Sequence, residues 1–335
     1  MNDFVPSSNV LPLNNEQFAN CSDNMEQKTN GLFKIRPVND WMKEAAQRKD
    51  PKALIPYIWY EYENCCCFAD SYVGKTLYTV QQCEKIAEKQ PLAYFDFELS
   101  DKQFQLRYTD KATGKLHEFP PNFYRVEIDI EGLDFDTDFE DQVIKNIEQV
   151  VLTMNVKILV IDNLTWLCNE SEKGDAAGRL MKSLMQLKKK HDLSILVLAH
   201  TPKRNLSNPI TQNDLAGSKK LFNFFDSAFA IGLSAKDEGL RYIKQLKCRG
   251  GQLVYNSNNV LVCCIEQVGD FLQFTEIGNA TEKEHLKDMD KKEAIALLEG
   301  VIALHNEGKT QREIAEELGT SPSTVNRLLK NHYEK

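Results

Sequence analysis

The chain has no run of 18 apolar residues, so no part of its 335 residues is expected to cross a bilayer as a helix. Its first residues lack a basic stretch followed by an apolar one, so no secretory leader is expected. No C-x-x-C is present. Nine cysteines include Cys65, Cys66 and Cys67 in one run and the pair Cys263 and Cys264, both within apolar stretches. Adjacent thiols in such runs suit buried side chains better than zinc ligands, and an odd count argues against a disulfide framework. These features predict a protein of the reducing cytoplasm. A basic excess is lacking as well: 41 Lys and Arg stand against 49 Asp and Glu, a net charge of −8. Proteins that coat nucleic acid without specificity are usually basic. Any such contact here must be local, or made by loops gathered from several subunits.

Three parts are expected along the chain, at 1–30, 31–280 and 285–335. Residues 1–30 are rich in Asn and poor in aromatics, and read as a disordered leader. A short helix is predicted over 39–48, capped by Asn39 or Asp40. The aromatic run PYIWYEYE, 56–63, reads as a strand or platform. Beyond it, apolar runs alternate with helical patterns. Strands are predicted at 64–69, 91–99, 124–130, 156–162 and 194–200, and helices at 76–89, 138–153 and 175–191. Near-continuous apolar strands separated by helices imply an α/β fold with a mostly parallel sheet covered on both faces. Four further runs, at 226–233, 240–248, 260–266 and 271–276, are expected to extend it with antiparallel strands. A charged linker, 279–293, leads into an all-α C-terminal module.

Residues 69–76 read ADSYVGKT. The phosphate-cradling pattern is G-x-x-x-x-G-K-[ST], and here alanine stands at its first position. Ala69, Asp70, Ser71, Tyr72, Val73 and Gly74 would form the loop. Lys75 would reach the β- and γ-phosphates of ATP, and Thr76 would hold Mg²⁺ through its hydroxyl. Alanine at 69 is tolerable if its φ is negative. The bland alternative is a chance G-K-T at a helix start. A companion acid supports the site: Asp162 ends the strand ILVID, where ligands sit in open α/β sheets, and could accept bonds from Mg²⁺-bound water. Its alternative is a cap for the next helix.

Three more stretches extend the pattern. In AYFDFELS (93–100), Glu98 falls just past the strand that follows the phosphate-loop helix, with Tyr94 and Asp96 on the same side. A carboxylate there can polarise an attacking water as general base; otherwise it is a surface glutamate before a cap at Ser100. His200 ends the strand SILVLAH, where a polar side chain could sense the γ-phosphate, although a lone strand-end histidine is more often structural. In RYIKQLKCRGG (241–251), Arg241, Lys247 and Arg249 share strand parity. Lys247 or Arg249 suits a finger reaching a neighbour's γ-phosphate, against the alternative of an edge strand protected by charge.

The order FADSYVGKT, YFDFELS, LVIDN, VLAHTPK, DLAGSKKLFNFFDSAFAI, KCRGG resembles the RecA-like hexameric ATPases, specifically the RepA-type plasmid replicative helicases and their DnaB-type relatives, over about 31–277. The resemblance implies a RecA-like P-loop ATPase core. It implies that Lys75 and Thr76 bind phosphate and Mg²⁺, that Glu98 is catalytic and that Asp162 is the acid of the second motif. It further implies that His200 links hydrolysis to DNA contact and that Lys247 and Arg249 act in trans within a homo-hexameric ring. The chain departs from the pattern at Ala69 and in lacking the primase-binding N-terminal domain of the DnaB type, which argues against a chromosomal replicative helicase.

Two segments bear on nucleic acid. The loop after His200, 201–220, carries Lys203, Arg204, Lys219 and Lys220. In a ring it would face the channel and track single-stranded DNA, or else it is a disordered surface loop. The segment QREIAEELGTSPSTVNRLLK, 311–330, reads as helix, turn at Gly319, helix, with Ser321 as cap and Pro322 in the first turn. Ile314, Ala315, Leu318, Val325 and Leu328 would form its core. This helix-turn-helix places Ser323, Thr324, Asn326 and Arg327 toward a major groove. Its surroundings are not basic: 281–335 holds nine Lys and Arg against eleven Asp and Glu, so a protein-contact module is the competing reading. The expectation is ATP hydrolysis coupled to DNA binding or translocation, in replication or mobilisation of a plasmid or mobile element. The alternatives are an ATP-gated DNA-binding regulator without unwinding activity, and a P-loop kinase.

Overall fold

A computed structural model describes residues 28–30, 32–132, 134, 136–167, 175–202, 204–216, 219–288 and 291–333. The predicted leader therefore lies outside the described residues except at its last three positions, which form a strand. The chain divides into two compact units, 1–51 and 52–335. The first carries a hairpin, β1 (Lys28–Asn30) with β2 (Phe33–Ile35), and helix α1 (Val38–Ala46). The expected cap at Asn39 or Asp40 is not used. Pro37 occupies the cap position without a side-chain bond, and Asp40 lies in the first turn, where a negative charge favours the helix dipole.

In the larger unit, a small hairpin of β3 (Ala53–Ile55) and β4 (Trp59–Tyr60) precedes a nine-stranded sheet. Its strands are β5 (Asn64–Ala69), β6 (Leu92–Asp96), β7 (Phe123–Val126), β8 (Ile158–Asp162), β9 (Ser194–His200), β10 (Ser227–Leu233), β11 (Leu240–Cys248), β12 (Val260–Val268) and β13 (Phe271–Ala280). Their spatial order is β13-β12-β11-β10-β5-β9-β8-β6-β7. The six strands from β10 to β7 pair in parallel, and β11 to β13 extend the sheet antiparallel, as the sequence pattern implies.

The connections fix where a ligand can sit. After β5, helix α2 (Lys75–Ala87) carries the chain across to β6. Helix α3 (Asp101–Arg107) leads on to β7, and α4 (Phe139–Met154), the short α5 (Leu164–Leu167) and α6 (Asp175–His191) then bring the chain back through β8 and β9 to β5; after the short α7 (Lys219–Phe222), β10 continues on the far side. The strand order thus reverses at β5, and in open α/β sheets ligands sit outside the carboxyl ends at such a point.

The cysteine run illustrates the two-layer core. Strand alternation sends Cys65 and Cys67 to the face packed with Leu77, Val80 and Cys83 of α2. Cys66 points to the other face, among Val143, Ile147, Leu180 and Leu184 of α4 and α6. All three thiols are fully buried, and burial pushes the Cys66 thiol well above the ordinary range.

Helices α8 (Lys291–Asn306), α9 (Gln311–Glu317) and α10 (Pro322–Tyr333) enclose a separate small core of Val301, Ile314, Ala315, Val325 and Leu329. The expected core residues Leu318 and Leu328 only flank it. Gly319 adopts a φ of 60°, a left-handed turn that glycine enters without strain.

The segment after β9 is an anchored loop. A buried ion pair joins Lys244 Nζ to Glu282 Oε2 at 2.6 Å. The same groups hold the loop backbone: Lys244 donates to Ile210 O, and Ile210 N donates to Glu282 Oε1. Removing one partner strands a buried charge. Lys244→Met should lower stability by about 3–5 kcal/mol, measured by urea denaturation, whereas Lys244→Met with Glu282→Leu should lose clearly less.

Candidate functional site

Strand β5 ends at Ala69, whose carbonyl accepts from Thr201 N at 3.0 Å. Ala69 is the last residue of the strand and is not among the residues with positive φ, so its methyl adds no strain. The chain then turns through Asp70, whose carboxylate accepts from Ser71 N, and through Tyr72, which is fully exposed at a φ of 64°. Gly74 precedes α2 at a φ of 105°, and an added Cβ would stand 3.0 Å from the ring of Phe274. Only glycine suits both conditions. Arg241, at the start of β11, donates from Nε to Val73 O at 3.0 Å and ties the loop to the antiparallel part of the sheet.

Lys75 is the buried cation of this loop. Its Nζ donates to Ala69 O at 3.2 Å and Asp70 O at 3.4 Å, and meets His200 Nδ1 at 3.1 Å. It is 6% exposed and bonds to no carboxylate among the described residues. An ammonium held this way retains unmet demand for an anion. Because lysine has no acceptor, His200 Nδ1 must be the unprotonated nitrogen and Nε2–H the donor. Nε2 lies 3.0 Å from Glu98 Oε1.

Thr76 donates to Asp162 Oδ2 at 2.6 Å, and the buried Tyr94 hydroxyl donates to the same oxygen at 2.6 Å. Asp162 is wholly buried, and its Oδ1 is without a partner among the described residues. Burial is the largest influence on its carboxyl, which is pushed up to about 6 despite the two hydrogen bonds. An orphaned acidic oxygen beside a threonine hydroxyl fits a hydrated Mg²⁺. Among the described residues no group of three or more His, Cys, Asp or Glu could hold a metal alone. Such an ion would therefore draw on phosphate oxygens and water.

Glu98 lies past the end of β6, half-exposed, in the turn that precedes α3 (Asp101–Arg107). Ser100 caps that helix in a reciprocal box with Gln103. Asn163 Nδ2 and His200 Nε2 both converge on Glu98 Oε1. The hydrogen bond from His200 holds the Glu98 carboxyl below the usual range. Lys75, Thr76, Asp162, Glu98 and His200 are thus brought together at one sheet edge. Asn163, Tyr94 and Arg241 join them, and nothing in their local sequence marked Asn163 or Arg241 for this site.

The basic strand differs from expectation. Arg241, Lys247 and Arg249 are not one cluster. In the antiparallel pair, Arg241 faces Leu233 at the loop edge while Cys248 faces Ser227 at the opposite edge, and a register shift interrupts the pairing. Lys247 donates to Phe222 O and sits over the Phe222 ring. Arg249 is 58% exposed and pairs with Asp226 at 3.0 Å. Neither can reach its own chain's loop. The loop residue Arg204 also departs from expectation: it turns inward, donating to Asn208 O at 2.5 Å. Lys203 lies outside the described residues. In the C-terminal helices, Ser321 caps α10 by accepting from Thr324 N at 3.1 Å, and its hydroxyl also meets those of Ser323 and Thr324. Thr324 is therefore half-buried in the cap, whereas Ser323, Asn326 and Arg327 are exposed.

The Asp162 shift has a sign that can be measured. A carboxyl raised in the fold contributes stability below its unfolded value of 3.8 and loses it as pH climbs through about 6. The ionised residue should cost the nucleotide-free protein about 3 kcal/mol at mildly alkaline pH. Asp162→Asn should therefore raise the urea midpoint near pH 8, and by about half as much in free energy near pH 5. Equal midpoints near pH 8 would contradict this.

A helix-turn-helix domain matches residues 302–332. No curated protein matches the chain in sequence. Among solved structures, a KaiC-like protein from the hyperthermophilic archaeon Pyrococcus horikoshii is 14% identical, with a TM-score of 0.45 over 65% of this chain and 91% of that one. The AAA domain matches residues 32–205, more than half of the sequence, and the chain belongs to the AAA domain family.

Proposed function

We propose that the protein is a ring-forming ATPase that couples hydrolysis to DNA, in the manner of the RepA-like plasmid helicases that its motif order resembles. The observation that carries this reading is the buried Lys75 ammonium, held by two carbonyls and a histidine at a loop that ends in a left-handed glycine. A triphosphate supplies the missing anion, received by the loop amides and the N-terminus of α2. Thr76 and Asp162 would hold Mg²⁺, which when bound neutralises charge on the phosphates.

Hydrolysis adds water to the γ-phosphorus and breaks its bond to the bridging oxygen, giving ADP and phosphate. Glu98, kept ionised by its donors, orients the water and accepts its proton. When phosphate draws the Lys75 ammonium away, His200 Nδ1 loses its donor. The state of the nucleotide thereby reaches the backbone that begins the following loop. Lys247 and Arg249 sit at the edge away from their own loop, so any contact they make with a phosphate would be in trans, and exposure favours Arg249. That arginine would exchange Asp226 for a neighbour's phosphate.

A second reading has one specific observation in its favour. Leu206 O accepts from Lys287 N at 3.1 Å, and Asn208 Nδ2 donates to Gly319 O at 2.5 Å, in the turn of the helix-turn-helix. The loop that starts at His200 therefore touches the C-terminal module of its own chain. An ATP-gated regulator that binds duplex DNA through Ser323, Asn326 and Arg327, without unwinding it, would use that contact.

Glu98→Gln should retain ATP binding and lose about 10²–10⁴ in kcat, measured with and without single-stranded DNA. Full turnover in this variant would remove the general-base role. ATPase stimulation by single strands favours the translocating ring. Nucleotide-dependent affinity for duplex DNA, with no strand separation, favours the regulator.

A further inference from the structure

The turn that presents Glu98 is gripped by two groups that the roles above leave unused. Asp96, the last residue of β6, has a completely buried side chain. Its Oδ1 accepts from Glu98 N at 3.1 Å and from Leu99 N at 2.9 Å. Its Oδ2 accepts from Arg125 Nε at 2.9 Å. Arg125 belongs to β7, the edge strand paired with β6, and its Nη2 donates to Leu99 O at 2.6 Å. Its Nη1 pairs with Glu127, and its guanidinium lies 4.9 Å from the centre of the Phe104 ring of α3.

A buried carboxylate needs a paired cation and filled acceptor positions, and Asp96 has both. The planar fork of arginine reaches a carboxylate and a carbonyl at once, which a single ammonium does not reproduce. Between them, the two side chains fix both amides and one carbonyl of residues 98–99. A carboxylate displaced by about 1 Å from its productive position can lose a hundredfold in rate.

We propose that Asp96 and Arg125 form a clamp that positions Glu98 for hydrolysis, with Arg125 a positioning residue reaching into the site from the sheet edge. The clamp rests on the reading of Glu98 as general base.

The experiment is a double-mutant cycle on the full chain, with ATP turnover and the affinity for a fluorescent ATP analogue measured for each variant. Arg125→Ala should lower kcat at least tenfold and leave nucleotide affinity within twofold. In the Glu98→Gln background it should add less than a twofold loss, because it acts only through Glu98. A wild-type kcat for Arg125→Ala, or a full additional loss in the double variant, would overturn the clamp. If Glu98→Gln itself keeps full turnover, the base role falls and the clamp falls with it. If Glu98→Gln is slow while Arg125→Ala is not, only the clamp falls. Should Arg125→Ala lose nucleotide binding through misfolding, Asp96→Asn is scored the same way. It keeps an acceptor for the two amides and gives up the charge that fixes Arg125, so unchanged kcat in that variant would overturn the proposal.

Discussion

A lysine ammonium buried without a carboxylate partner among the described residues is the constraint around which this structure is arranged. Among the described residues, Lys75 Nζ is satisfied only by Ala69 O, Asp70 O and His200 Nδ1. Neutral acceptors stabilise a buried cation less than an anion would. The loop stays open toward solvent while the cation remains inside, a combination that receives phosphate. Gly74 allows the chain to bend into α2, and Arg241 ties the loop from the antiparallel strands.

The acids around this cation have opposed electrostatic settings. Asp162, wholly buried with an orphaned oxygen, resists ionisation; Glu98, half-exposed and fed by His200, favours it. Two carboxylates pushed apart in this way divide the work of a site. In the proposed function the first would hold a cation and the second would take a proton. His200 lies between Lys75 and Glu98, with one ring nitrogen on each.

The same histidine begins a loop that the buried Lys244–Glu282 pair secures and that ends its reach at the turn of the C-terminal helices. The path from nucleotide to helix-turn-helix is thus short and made of backbone contacts within one chain. The acidic balance of the protein agrees with this economy. Exposed Arg327 and its neighbours on α10 are a local surface, too small to coat nucleic acid by charge alone.

The alternating apolar runs and the glycine, lysine and threonine of the loop made the α/β architecture and the nucleotide loop legible in the sequence. Burial period and turn chemistry act within a few residues, so local order suffices to read them. Glu98, Asp162 and His200 were legible because each ends or just follows a buried strand. The cap at Asn39 or Asp40 failed because a proline at 37 starts the helix earlier. What only the tertiary structure decided is what depends on strand order and direction. The pairing of Tyr94 with Asp162, of Asn163 with Glu98, and of Arg125 with Asp96 joins residues 29 to 68 positions apart. Strand parity put Arg241 and Arg249 on one face, but the length of β11 sets them at opposite edges of the sheet and a register shift interrupts the parity. Sequence fixes which face a side chain takes along its own strand; which end of the sheet that strand presents to the crevice is set by long-range pairing, which no local pattern encodes.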